Sequence, residues 1–166
     1  MEILQHVLIS TIIIGICATV VMDIWSGIRQ SLFGIAPPNY AMVGRWLAYM
    51  PQGRFRHSAI GAAPAKPAEA GIGWLAHYLT GIAFAGLLLA WQGIAWISQP
   101  TLGAALLVGI ATVAAPFLLM QPGMGAGLAA SRSPAPNKAR LQSLLNHGVF
   151  GIGLYLGGWL THFLMH

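Results

Sequence analysis

The sequence predicts an all-α integral membrane protein: four transmembrane helices forming two parallel-repeated helical hairpins, with a short interfacial helix in the first cytoplasmic loop. Three observations predict it. The apolar runs each reach the length of a bilayer. All eight Lys and Arg residues fall in two stretches, 29 to 66 and 132 to 140. Short sequences recur in the same order in the two halves of the chain. With 57% hydrophobic and only 7% charged residues, the 166-residue chain lies far from soluble domains, where about a quarter of residues are charged. One compact membrane domain over 1–166 follows.

The first span covers about 3–28. No Lys or Arg precedes Arg29, so the apolar run 7–22 lacks the basic start of a cleaved signal and reads as a retained span entering from outside. The loop after it carries Arg29, Arg45, Arg54, Arg56 and Lys66. Within it Asn39 is placed to cap a helix over 40–50 with Met42, Trp46, Tyr49 and Met50 on one side. That helix either lies in the headgroup layer, with Arg45, Trp46, Arg54 and Arg56 as headgroup or interface contacts, or packs on the bundle. The second span covers about 72–97 and the third about 102–121, joined by Ser98-Gln99-Pro100-Thr101, which carries no charge. The next loop carries Arg132, Lys138 and Arg140, and the fourth span covers about 141–164. Positive charge gathers on the cytoplasmic side. Both termini are therefore expected in the periplasm, across an inner membrane. Trp25, Trp46 and Trp74 then mark the inner boundary and Trp91, Trp96 and Trp159 the outer one.

Gly125-x-Gly127-x-x-Ala130 imitates a phosphate loop, but no strand precedes it, so a dinucleotide site is excluded and a broken helix or re-entrant backbone is expected. Cys17, the only cysteine, sits in an apolar run as a packing residue. The net charge of +5 belongs to loops flanking spans, not to a nucleic-acid surface.

The recurrences are Gly15-Ile16-Cys17-Ala18-Thr19 with Gly109-Ile110-Ala111-Thr112, Pro37-Pro38-Asn39 with Pro134-Ala135-Pro136-Asn137, and His77-x-x-x-Gly81-Ile82 with His147-x-x-x-Gly151-Ile152. They imply repeats over 1–98 and 99–166, each running outside to inside and back. Gly153-x-x-x-Gly157 offers a close helix approach, within the bundle or to another protomer of a homo-oligomer.

Asp23 is the one acidic residue inside a span, and such residues are costly enough to mark function by default. At about 1.5 Å per residue, Asp23, His77, His147 and Gln121 meet at a similar depth near the cytoplasmic side. An Asp with two His can bind a divalent metal, relay protons or hold a polar solute. The two His can instead bind haem iron axially, making an electron carrier. The structural alternative has each His bonding a neighbouring helix and Asp23 reaching the interface or pairing with Arg29 or Arg45; a structural subunit of a larger membrane complex is a separate rival reading. His6, His57, His162 and His166 read as interface or tail residues. Catalysis has little support: no His-His pair, no nucleophile elbow and no pair of buried carboxylates is present.

Six sequences together resemble the bacterial family of small integral membrane proteins catalogued as domain of unknown function 2938. The first three are Ala18-Thr19-Val20-Val21-Met22-Asp23-Ile24-Trp25, Asn39-Tyr40-Ala41-Met42-Val43-Gly44-Arg45-Trp46 and Pro51-Gln52-Gly53-Arg54-Phe55-Arg56-His57. The others are Gly73-Trp74-Leu75-Ala76-His77-Tyr78, Pro116-Phe117-Leu118-Leu119-Met120-Gln121-Pro122-Gly123-Met124-Gly125 and Ala130-Ser131-Arg132. The resemblance implies an inner-membrane protein and carries over no catalytic residue. What the residues then predict is a polytopic membrane protein that binds or conducts a small solute, proton or metal ion at a cytoplasmic-side polar layer.

Overall fold

A computed structural model describes residues 2–165, with side chains from Leu4 to Met165; His166 lies outside the described residues. Every regular element among them is helical. In chain order these are α1 (Glu2–Phe33), α2 (Tyr40–Tyr49), α3 (Glu69–Gln92), α4 (Leu102–Ala111), α5 (Gln121–Met124) and α6 (Pro136–Met165). Four helical stretches are long and apolar enough to cross a membrane: Leu4–Phe33, Glu69–Gln92, Leu102–Met124 and Pro136–Met165.

The ends of the spans follow local chemistry that hydropathy does not register. The first helix runs on past Ile28 and stops where Gly34 takes a left-handed φ of 63° and its N–H returns to Gln30. The helix α3 ends at Gln92 because Gly93 has φ 79°. Trp96 and Ile97 therefore lie in a 3-10 turn, Ile94–Ser98, as buried core, and the Trp96 indole donates to Thr101. The third span is irregular earlier than the expected bend at Gly125–Ala130: α4 gives way to a π turn, Pro116–Met120, before α5.

The chain divides into two compact units. A helical unit takes in 2–37, 78–112 and 145–165, and a loop unit takes in 38–77 and 113–144.

In the helical unit a stripe of large side chains on α1 faces outward, while small residues lie where helices cross. Leu4, Leu8, Ile12, Ile16, Val20, Ile24, Ile28 and Leu32 recur every fourth residue along α1 and are all exposed, whereas Ser10, Ile14 and Ala18 are buried. Lipid tails are as apolar as leucine, so helices gain little by burying leucine against each other and associate where small residues let backbones approach. The glycines do this. A Cβ on Gly15 would strike the backbone of Gly81 and Ile82 on α3, and one on Gly109 the backbone of His147 and Gly151 on α6. Gly153 and Gly157 meet Ala18 and Ile14 of α1, so this pair works within the chain and not between protomers. Three threonine hydroxyls in these helices are satisfied locally: Thr11, Thr19 and Thr161 each donate to the carbonyl four residues back. Around these crossings Leu88, Leu89, Ala105, Phe150 and Leu154 complete the core.

In the loop unit α2 lies on the start of α3, with Gly44 against the carbonyl of Glu69 and Gly73 against that of Tyr40. Asn39 occupies the cap position, but its side chain makes no capping bond and only its carbonyl serves, accepting from Met42. The segment after α5 is bent by Gly125 (φ 98°) and Gly127 (φ 75°), then held left-handed at Ala129 and Ala130. Left-handed backbone costs an alanine roughly 1–2 kcal/mol. Arg140 anchors this stretch by donating to the Ala129 carbonyl at 2.8 Å.

Candidate functional site

The polar residues singled out from the sequence fall two to each unit: Asp23 and His147 in the helical unit, His77 and Gln121 in the loop unit.

Asp23, half-buried on α1, accepts a hydrogen bond of 3.1 Å from the Tyr78 hydroxyl. Tyr78 was not singled out beforehand; its only signal is its place beside His77. The His147 ring is held more tightly. Its Nδ1 lies 3.0 Å from Thr112 Oγ1 and 3.2 Å from the Gly109 carbonyl, while the Thr112 hydroxyl donates to that same carbonyl at 2.6 Å. A carbonyl can only accept, and the threonine hydrogen is already committed to it. The tautomer with its hydrogen on Nδ1 suits both contacts and leaves Nε2 as the acceptor. Gly109 therefore does two things, letting α6 approach and presenting the carbonyl that orients its histidine. Phe84 lies 6.5 Å from the ring between centroids.

His77 has different neighbours. It stacks on Tyr40, with centroids 4.1 Å apart and planes 24° apart, and meets Trp74 edge-on at 5.8 Å. Gln121 begins α5 directly after the π turn, and its Oε1 is buried without a hydrogen-bond partner.

The arginine expected to reach lipid phosphates does otherwise. Arg45 is buried, and its fork grips Glu69 through Nε to Oε2 and NH2 to Oε1, both 2.7 Å, while NH1 donates to the Ala63 carbonyl at 2.9 Å. The hydrogen bonds to Glu69, and then its charge, hold the guanidinium above its ordinary range. The carboxylate also takes the Lys66 backbone N–H at 2.9 Å. Asp23 is thus not the partner of Arg45. Trp46 donates to the Phe55 carbonyl at 2.8 Å, and its ring fills the space beside Gly123. Tyr49, buried, bonds the Pro64 carbonyl, carries Lys66 and Arg54 over its ring at 4.0 and 4.9 Å, and meets His57 at its edge. Arg54 and Arg56 are exposed. Glu69 and Tyr49 were missed because their partners lie 24 and 15 residues away.

Among the described residues no three His, Cys, Asp or Glu side chains are grouped so as to hold a metal ion. A family model described as a protein of unknown function, DUF2938, matches residues 12–161. No curated protein and no solved structure matches the chain.

Proposed function

We propose that this chain, which belongs to the DUF2938 family of unknown function, is an inner-membrane protein that accepts and passes on a proton, or a small solute able to donate a hydrogen bond, at His147. The observation that carries this reading is the fixed tautomer. With Nδ1–H committed to Thr112 and Gly109, the imidazole offers one atom, Nε2, as acceptor. Asp23 and Tyr78 supply a second hydrogen-bonded polar pair in the same unit as His147. A metal centre draws less support, since the donor side chains are not grouped. A bis-histidine haem draws less still, since the two imidazoles have unlike neighbours.

The glycine crossings support the duplication read from the sequence. Gly15 meets Gly81, and Gly109 meets Gly151; each returning helix carries a histidine four residues before its glycine. Segregated positive charge supports basic loops on the cytoplasmic side and both termini in the periplasm. Labelling of exposed Ser98→Cys from the periplasm, with Lys138→Cys protected, is expected, and the reverse pattern refutes the orientation.

Function is tested in proteoliposomes carrying an internal pH dye under an imposed pH gradient. The expected result is proton flux that falls about tenfold or more in His147→Gln, the range over which a positioned acid–base group acts. Wild-type flux equal to that of empty liposomes, or undiminished flux in His147→Gln, overturns the proposal.

A further inference from the structure

Buried hydrogen-bond donors without acceptors gather on one face of the last turns of α1. Trp25, Ser26 and Arg29 stand at i, i+1 and i+4, adjacent positions on a helix surface. Ser26 is 5% and Arg29 4% exposed. The Trp25 Nε1, Ser26 Oγ and Arg29 Nε and NH1 atoms are buried with no hydrogen-bond partner in the protein. Comparable groups elsewhere in the chain find partners, Ser133 Oγ being an exception. Thr11 and Thr19 of the same helix bond back to carbonyls, the Trp46 and Trp96 indoles reach acceptors, and Arg45 and Arg140 are bonded.

The guanidinium cannot escape its charge by losing a proton. An unpaired buried charge is strongly destabilising, and the Trp25 ring, 5.9 Å away, compensates for only part of it. The chain has little to offer as a counter-ion, because it holds only three acidic residues. Glu69 is gripped by Arg45 and Asp23 is bonded by Tyr78. Glu2 begins the same helix 27 residues earlier, roughly 40 Å away along its axis.

We propose that Trp25, Ser26 and Arg29 bind the oxygens of a phosphate group. The guanidinium supplies the charge and a two-donor fork, the indole N–H and the hydroxyl supply single donors, and a phosphate has enough oxygens to meet all of them. The place suits this, since Arg29 opens the basic stretch 29–66 at the end of a span and exposed Leu32 and Phe33 follow it. The phosphate has two possible sources, an anionic phospholipid headgroup or a free phosphate in solution. The inference stands independently of the role given to His147.

The test uses the full chain in phosphate-free maltoside micelles, with thermal stability and phosphate affinity as readouts. Wild type is compared with Arg29→Met, which keeps the stem and removes the charge, and with Ser26→Ala. The micelles are used alone, with added short-chain phosphatidylglycerol, or with millimolar inorganic phosphate. A rise in melting temperature with the lipid alone assigns a lipid headgroup; a rise on adding inorganic phosphate assigns a free anion. Either supports the proposal, provided that Arg29→Met abolishes the rise and weakens affinity about tenfold or more, as loss of a charge-assisted pair dictates. In micelles without either ligand, Arg29→Met is expected to melt no lower than wild type, because it removes an uncompensated charge. Absence of any rise in wild type, an equal rise in Arg29→Met, or an Arg29→Met protein that melts lower without anion overturns the proposal.

Discussion

The helical unit and the loop unit are held together by different means. In the helical unit the helices meet at Gly15, Gly109, Gly151, Gly153 and Gly157, where backbone touches backbone. In the loop unit no helix longer than α2 lies wholly inside, and the parts are tied by directed polar contacts centred on Arg45, Glu69, Tyr49 and Trp46. The difference follows the residues each contains. Small residues let long apolar helices approach until their backbones touch, and that packing holds them where burying another leucine gains little. Segments outside long helices have no such repeated crossing and are tied instead by individual directed bonds.

Four substitutions test that contrast, beginning with the largest expected effect. Gly153→Leu forces a side chain into the backbone of Ala18; a loss of about 3 kcal/mol is expected, measured by unfolding in detergent. Retained stability would show that the crossing is not needed. Arg45→Gln leaves the Glu69 carboxylate without its fork. The 40–66 stretch should become sensitive to protease while the helical unit melts nearly as before, and a uniform loss across both would contradict the division. The pH dependence has a definite sign. A guanidinium held above its usual range stays charged and contributes fully from neutral through alkaline pH. Resistance should therefore stay level from neutral to alkaline pH and fall only in acid, as Glu69 takes up a proton.

Thr112→Val removes one hydroxyl from the His147 network and is expected to cost about 0.6 kcal/mol, the mean for hydrogen bonds between membrane helices. It should nevertheless alter the rate of proton flux, because the ring loses its orientation; unchanged flux would separate His147 from function. Ile16→Ala, on the exposed stripe of α1, should change stability by no more than about 0.5 kcal/mol in lipid. A loss comparable to that of a core isoleucine would mean that this face is covered by protein.

Much of the helical unit was legible because crossing a membrane imposes a one-dimensional demand. About 20 apolar residues must run together with their backbone groups bonded internally, and hydropathy reports this directly. The four spans were readable in that way, and the short helix beginning at Tyr40 from Asn39 and its apolar side, whereas the π turn at Pro116–Met120 was not. The ends were not, since Gly34 and Gly93 stop their helices through φ rather than through polarity. The candidate site was half legible. Asp23, His77, His147 and Gln121 stand out as polar residues in apolar surroundings, but Thr112 and Tyr78 do not, being ordinary residues made important by what they touch.

The amino-acid order by itself determined that this is a four-span helical chain with its basic residues confined to two segments and with recurring glycines and histidines, since composition, spacing and charge belong to the chain before it folds. Only the tertiary structure decided which arginine is neutralised from within. Arg45 and Arg29 look alike in the sequence, yet Arg45 finds Glu69 across 24 residues, and Arg29 is buried with Nε and NH1 unbonded. It also decided which nitrogen of His147 keeps its lone pair. The physical reason is the same in both cases: hydrogen bonds form over about 3 Å of space, and the partners within that reach are set by how helices cross, not by their order along the chain.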